Sequence, residues 1–140
     1  MRVLLDTNVV VSALLFPGLP RRLLRVLCFP PFEIWASRPL LRELAATLTY
    51  QKLSVAVGGT GLTIEDLVQA YASHVFVVPD EVLAPVQFAP DPCDAAVIAA
   101  AMGAGAEWLV TGDRHLLDAE EAMPCRVLTV ADALAGAEEQ

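Results

Sequence analysis

Five short apolar runs punctuate the chain: Val3 to Leu5, Glu33 to Ala36, Val75 to Val78, Trp108 to Val110 and Arg126 to Leu128. Their apolar residues are consecutive rather than alternating with polar ones, the pattern of strands buried on both faces. Between nearly all of them lie segments with apolar residues at three- and four-residue spacing, the mark of a helix with one inward stripe. Strands that alternate with helices predict an α/β fold, a parallel sheet covered by helices. The stretch Gly58-Gly59-Thr60-Gly61 predicts a loop, and Thr63 with Asp66 three positions later predicts a capping box at the start of the next helix.

Certain acids interrupt this pattern at telling places. Asp6 follows the first apolar run at once, and in LVTGDRHLL a strand-like run leads through Thr111 and Gly112 to Asp113. In parallel sheets ligands bind beyond the carboxyl ends of the strands, where both acids are expected. A carboxylate there needs hydrogen bonds, a cation or solvent. Asp is also favoured at helix N-caps, so the capping reading and the ligand reading both stand. In SRPLLRELAATL, Ser37 predicts a cap for a helix whose Leu40, Leu41, Leu44 and Leu48 face inward. Glu43 falls about 60° from Leu40, on the border of that stripe. In DPCDAAVIAAAMG, Asp91 reads as an N-cap, Pro92 as the first helical residue and Asp94 as the third, a capping-box arrangement. The same angular count sets Asp94 in the middle of the arc of Val97, Ile98, Ala101 and Met102, facing inward. Four acids gathered at strand ends and helix starts repel one another unless a cation sits among them. An all-oxygen set without His or Cys fits Mg²⁺ or Mn²⁺.

Composition narrows the remaining classes. A chain of 140 residues is the size of one ordinary domain, residues 1–140, and no linker is expected. Its hydrophobic content of 56% exceeds the usual range, but charged residues break every apolar run before it could span a bilayer. The surplus therefore predicts core or subunit interface, with no membrane association. The start of the chain lacks the apolar stretch and cleavage site of a secretion leader, which predicts a cytoplasmic protein. Cys28, Cys93 and Cys125 have no paired spacing and read as reduced packing residues. His74 and His115 are isolated, which argues against zinc and for surface or locally hydrogen-bonded roles. A net charge of −8 excludes loose binding to nucleic acid through a basic surface, although an acidic cleft holding divalent cations can still act on phosphodiesters. Lys52 is the only lysine, so phosphate contacts fall to arginines: Arg21, Arg22, Arg25, Arg38, Arg42 and Arg114 are the candidates. The first three also read as the solvated face of a helix with Leu23, Leu24 and Leu27 inward. Arg38 and Arg114 are the ones near the predicted acids. No aromatic stacking platform is visible in the sequence.

Taken together, LLDTNVVVSAL, LLREL, DPCDAAVIAAA and LVTGDRHLL resemble, in order and spacing, the PIN domain over essentially the whole chain. The resemblance is greatest to toxin components of toxin-antitoxin systems related to the VapC toxins. It implies a three-layer α/β/α sandwich around a central parallel sheet, usually paired as a homodimer. It implies that Asp6, Glu43, Asp94 and Asp113 are the acidic quartet that binds Mg²⁺ or Mn²⁺ for hydrolysis of RNA phosphodiesters. Asn8 and Thr111 match positions that orient those acids, and Asp91 matches an additional acid with a supporting or capping role. A small antitoxin would hold the enzyme inactive. A different class of reading is a non-catalytic PIN-fold module that only docks a protein partner, which metal binding without RNA turnover would favour. A phospho-acceptor receiver domain would want a lysine at a late strand end, whereas Lys52 precedes the Gly-rich segment. Dinucleotide binding is disfavoured because Gly103-Ala104-Gly105 follows a helix instead of opening one.

Overall fold

The computed structural model describes residues 1–86 and 94–139. Its five strands are β1 (Arg2–Leu5), β2 (Glu33–Ala36), β3 (Val75–Val77), β4 (Trp108–Val110) and β5 (Arg126–Leu128). All four pairings are parallel and the order across the sheet is β3-β2-β1-β4-β5. Each strand matches an apolar run of the sequence, with Val78 falling just past the end of β3.

Continuous burial explains the unbroken runs of β1 and β4, whereas β2 is buried at alternate residues and the edge strand β3 leaves Phe76 and Val77 exposed. In β1, Val3 and Leu5 enter one apolar cluster and Leu4 enters another on the opposite face. The first cluster is roofed by α1 (Thr7–Leu15), α2 (Leu19–Leu27), α3 (Arg38–Leu48), α5 (Ile64–Ala72) and α8 (Val130–Glu138). The second is roofed by α6 (Ala95–Ala104) and α7 (Arg114–Asp118). This is the α/β/α layering that the resemblance implied. Among the described residues no helix is long and apolar enough to cross a membrane.

Two features of this architecture place the site. The chain leaves β1 towards β2 and β3, then returns to the other side of β1 for β4 and β5, so the loops after β1 and β4 diverge and open a crevice at the carboxyl edge. The second feature is the direction of α6. Arg2 at the start of β1 donates from Nη1 to the carbonyl oxygen of Ala104 at 2.8 Å, which pins the end of α6 to the amino edge of the sheet. The helix therefore runs antiparallel to β1, and its start, at Asp94, lies at the carboxyl edge. Small residues allow the helix to sit close: a Cβ on Gly103 would stand 2.8 Å from Val78 Cγ1.

Local signals account for most helix starts. Ser37 accepts from Leu40 N at 3.3 Å to cap α3, with Leu40, Leu44 and Leu48 buried as the stripe requires. Thr63 and Asp66 form the capping box of α5. One expectation differs: Gly58 and Gly59 close a short helix, α4 (Ser54–Gly59), and only Thr60 and Gly61 turn the chain, Gly61 at φ 72°. Hydrogen bonding of one further turn outweighs the modest cost of glycine at a helix end. Met102 also departs from its predicted inward arc; it is 53% exposed while Val97, Ile98 and Ala101 are buried, because α6 covers the sheet with a narrower stripe than the angular count assumed.

Candidate active site

Asp6 sits in the crevice between the ends of β1 and β4. Its backbone N–H donates to Val110 O at 2.9 Å, which ties the two strand ends together. Its Oδ1 accepts from Thr7 N at 2.8 Å and its Oδ2 accepts from the Thr111 hydroxyl at 2.7 Å. Thr111 is completely buried and its hydroxyl oxygen in turn accepts from Asp113 N at 2.9 Å. Asp113 caps α7 through His115 N at 2.8 Å, with 27% of its side chain open to solvent. Capping and site formation are thus not alternatives. A carboxylate has about four lone-pair positions, so capping uses only part of its capacity.

Glu43 approaches from α3. The Glu43 carboxyl is raised above its ordinary pKa by partial burial first and by the charge of Asp6 second, while the Thr7 side chain lowers it. Asp6 is raised chiefly by burial, opposed by its bonds to Thr111 and Thr7, with the charge of Asp113 adding to the rise. Asp6 is therefore the electrostatic centre of three acids brought from β1, α3 and the β4–α7 loop. Asp94, 7% exposed, stands at the start of α6 on the same edge. Among the described residues no three acidic, His or Cys side chains stand close enough to enclose an ion by themselves.

The supporting residues divide. Thr111 bridges Asp6 and Asp113, whereas Asn8 is exposed in the first turn of α1 and makes no side-chain hydrogen bond among the described residues. Asp91, like Cys93, lies outside the described residues. Arg38 pairs with Asp80 at 3.1 Å and Arg114 with Asp118 at 3.9 Å, both exposed. His115 stands with Nδ1 3.6 Å from Asp113 Oδ1, and His74 is exposed. Cys28 and Cys125 are free; burial raises both thiols, and Cys125, also beside Glu120, is pushed up to about 11. Both are therefore poor nucleophiles near neutrality.

Two features escaped the sequence. Thr7, 5% exposed, donates its backbone N–H to Asp6 Oδ1, the cap of α1; its place directly after the first acid was the available signal. An aromatic stack also exists. Trp35 and Phe76 lie 5.3 Å apart at 25°, with the Arg2 guanidinium 4.6 Å over the Trp35 ring. It forms across β2 and β3, where the register sets Trp35 opposite Phe76, and cross-strand register is invisible in a one-dimensional pattern.

An all-parallel sheet between helices, with acids converging on the crevice beside its central strand, defines an α/β/α protein with a carboxylate-lined site. The family model described as PIN domain matches residues 2–115, and the chain belongs to that family. Among solved structures it is similar to a chain of VapBC2 from Rickettsia felis, crystallised bound to a DNA fragment from their promoter. That likeness has a TM-score of 0.62 at 16% identity and covers 92% of this chain and 98% of the other. A comparison with curated proteins finds no match.

Proposed function

We propose that this protein is an endoribonuclease dependent on Mg²⁺ or Mn²⁺, the toxin of a type II toxin–antitoxin pair. The observation that carries the reading is that Asp6 and Asp113 are held on one buried hydroxyl, Thr111, at the switch point of the sheet, with Glu43 near enough to feel the Asp6 charge. Folding alone gains nothing by gathering like charges in a half-buried crevice, since each raises the cost of ionising the next. The donor set fits a hard cation: it is all carboxylate oxygen, and Mg²⁺ is commonly held through one or two carboxylates while keeping several waters. Asp6, Glu43, Asp94 and Asp113 are the residues that would hold it.

When bound, the ion would supply positive charge to the scissile phosphate and a water acidic enough to lose its proton near neutrality. This chain's residues do the rest. Thr111 and Thr7 fix both Asp6 oxygens, so Asp6 stays in place while substrate enters. Glu43, brought by α3 within reach of the Asp6 charge, would hold the ion or one of its waters from the far wall of the crevice. Arg38 and Arg114, on the exposed rim, are positioned to meet flanking phosphates of an RNA strand. Likeness to a VapBC2 chain supports a small antitoxin as partner, the apolar surplus supports a homodimer, and a toxin acting on RNA would work in the cytoplasm.

The test is cleavage of an RNA oligonucleotide pool with Mn²⁺, with Mg²⁺ and with EDTA. Cutting should require the metal, and folded Asp94→Asn and Asp113→Asn proteins should lose about 100-fold or more of the rate, as when one transition-state contact is removed. Metal binding without any cutting, or cutting unaffected by both substitutions, overturns the reading.

A further inference from the structure

We propose that the groove between α3 and α5 holds one nucleotide of a single-stranded RNA, a short way along the strand from the cut, with Arg38 and Arg42 on its phosphate and Asp80 displaced. The inference rests on the ribonuclease reading of the site and adds where the substrate lies. The groove has a volume of about 320 Å³ and is lined by Arg38, Leu41, Arg42 and Ala45 of α3 and by Val68 of α5. That is the low end of the range for small-ligand pockets, room for a single nucleotide. Two of the nine basic residues of a chain with net charge −8 stand here, and among the described residues no acid lines the groove. Being four positions apart on one helix, the two arginines flank the same stretch of wall. Arg42 is exposed and forms no ion pair among the described residues. Arg38 has Asp80 at 3.1 Å, with 64% and 50% of the two side chains open to solvent. An exposed pair is weakly held, and a phosphate, which takes the guanidinium fork on two oxygens, can replace it. The floor of Leu41, Ala45 and Val68 offers aliphatic carbon to a base, and arginine supplies a planar stacking partner where no aromatic ring stands.

The topology ties this groove to the acids. β2 is the neighbour of β1, and neighbouring strands lie about 4.8 Å apart. Ser37 follows the end of β2 and Arg38 opens α3, so Arg38 stands on the carboxyl edge one strand along from Asp6. The two flanks of α3 are divided between the tasks. Glu43 falls about 140° round the helix from Arg38, on the flank that feels the Asp6 charge, while both arginines share a wall with Val68 of α5. An RNA strand that leaves the acids across the start of α3 enters the groove after about one helix width, ~10 Å. The nucleotide held there is therefore a flanking one and not the one cut.

The experiment measures binding and cutting separately on the full chain. Binding of a fluorescein-labelled RNA oligonucleotide of mixed sequence is followed by anisotropy in EDTA across a salt series, and cutting is followed with Mn²⁺. Both are repeated on versions trimmed stepwise from each end. The variants are Arg42→Ala, Arg38→Ala and Asp80→Asn, with Arg126→Ala as the charge control, an exposed arginine at the start of β5 on the opposite edge of the sheet. Arg42→Ala should weaken binding about 10-fold at low salt, the scale of one charged hydrogen-bonding contact, and raise KM with kcat held. Its salt slope should fall by about 0.7 to 1 unit. Arg38→Ala should lose less, since Asp80 already takes part of its charge, and Asp80→Asn should tighten binding by up to about fivefold. Both arginine losses should disappear once the RNA is trimmed from one end, while Arg126→Ala shifts binding by less than about twofold. Wild-type RNA affinity in Arg42→Ala, a loss matched by Arg126→Ala, or a loss that survives trimming from both ends overturns the proposal, as does Asp80→Asn binding no tighter than wild type. Arg42→Ala that keeps its RNA affinity and sediments at a lower mass assigns the groove to a contact between copies of this chain and overturns it too. A wild type that binds RNA with the expected differences and never cuts it upholds the groove and overturns the nuclease reading. Metal-dependent cutting with no dependence on Arg42 does the reverse, and absence of RNA binding with and without Mn²⁺ overturns both.

Discussion

The hydroxyl of Thr111 donates to Asp6 Oδ2 at 2.7 Å, and this single contact joins the ends of two neighbouring strands through side chains as well as backbone. Because Thr111 also accepts from Asp113 N, one buried oxygen sets the relative position of two candidate ligands. Thr111→Val should leave the Asp6 carboxylate short of a donor in a site where it is already partly desolvated. We expect a loss of about 1–3 kcal/mol in urea unfolding at pH 7, the cost of stranding a buried polar group, with most of it recovered in Thr111→Ser. A Thr111→Val protein as stable as wild type would show that the bond carries no weight.

Glu43 and Asp6 predict an unusual pH dependence. Both carboxyls are raised in the folded protein above the ordinary values of 4.5 and 3.8. Over the interval between the unfolded and folded values the native state binds more protons, so the metal-free protein loses stability as pH rises through it and stays at the lower level above. Glu43→Gln removes part of that penalty. Its thermal midpoint at pH 7 in EDTA should lie above that of wild type, and the difference should vanish below about pH 4, where the unfolded glutamate is protonated too. Mn²⁺ at 100 times its dissociation constant should stabilise the wild type by about 2.7 kcal/mol and the variant by less. Equal midpoints at pH 7 would place Glu43 outside the coupled group.

Gly103 controls how closely α6 approaches the sheet. An added methyl would meet Val78 Cγ1 at 2.8 Å, Leu83 Cδ2 at 3.5 Å and Val82 Cγ1 at 3.6 Å. Val78 is fully buried and cannot rotate away freely, so the helix must shift. Gly103→Ala should therefore cost about 1–3 kcal/mol by chemical denaturation, despite alanine being the better helix former. Since Asp94 is the N-cap of α6, the same substitution should also weaken Mn²⁺ binding. Neutral or improved stability would mean that α6 is not closely docked.

Arg114 stands one residue beyond Asp113 on the rim and is tied only loosely to Asp118 at 3.9 Å. If it meets a flanking phosphate, Arg114→Ala should raise KM with kcat nearly unchanged, because the contact is equal in ground and transition states. The salt dependence of RNA binding should lose about one unit of slope, the signature of one phosphate contact removed. An unchanged slope would assign Arg114 to the solvated face of α7.

What the sequence determined on its own was local and periodic. Consecutive apolar runs named all five strands; burial on both faces leaves that mark in β1 and β4, while the edge strand β3 carries it with Phe76 and Val77 exposed. Ser37, Thr63 with Asp66, and the leucines of α3 likewise act within one helix, so the caps and the buried stripe were legible. The positions of Asp6 and Asp113 at strand ends followed from the same runs. Which acids meet was decided only by the tertiary structure. The order β3-β2-β1-β4-β5 makes β1 and β4 neighbours at the switch point, and that adjacency joins residues separated by more than a hundred positions through Thr111. The bond from Arg2 to Ala104 sets the direction of α6 and hence the edge at which Asp94 stands. Thr7 went unread because a threonine at the start of a helix looks like any other until α3 packs against it. The stack of Trp35 on Phe76 depends on a parallel register between strands about forty residues apart, which loop closure and sheet pairing choose together. Periodicity along a chain records what each segment buries; it holds no record of which buried segments lie side by side.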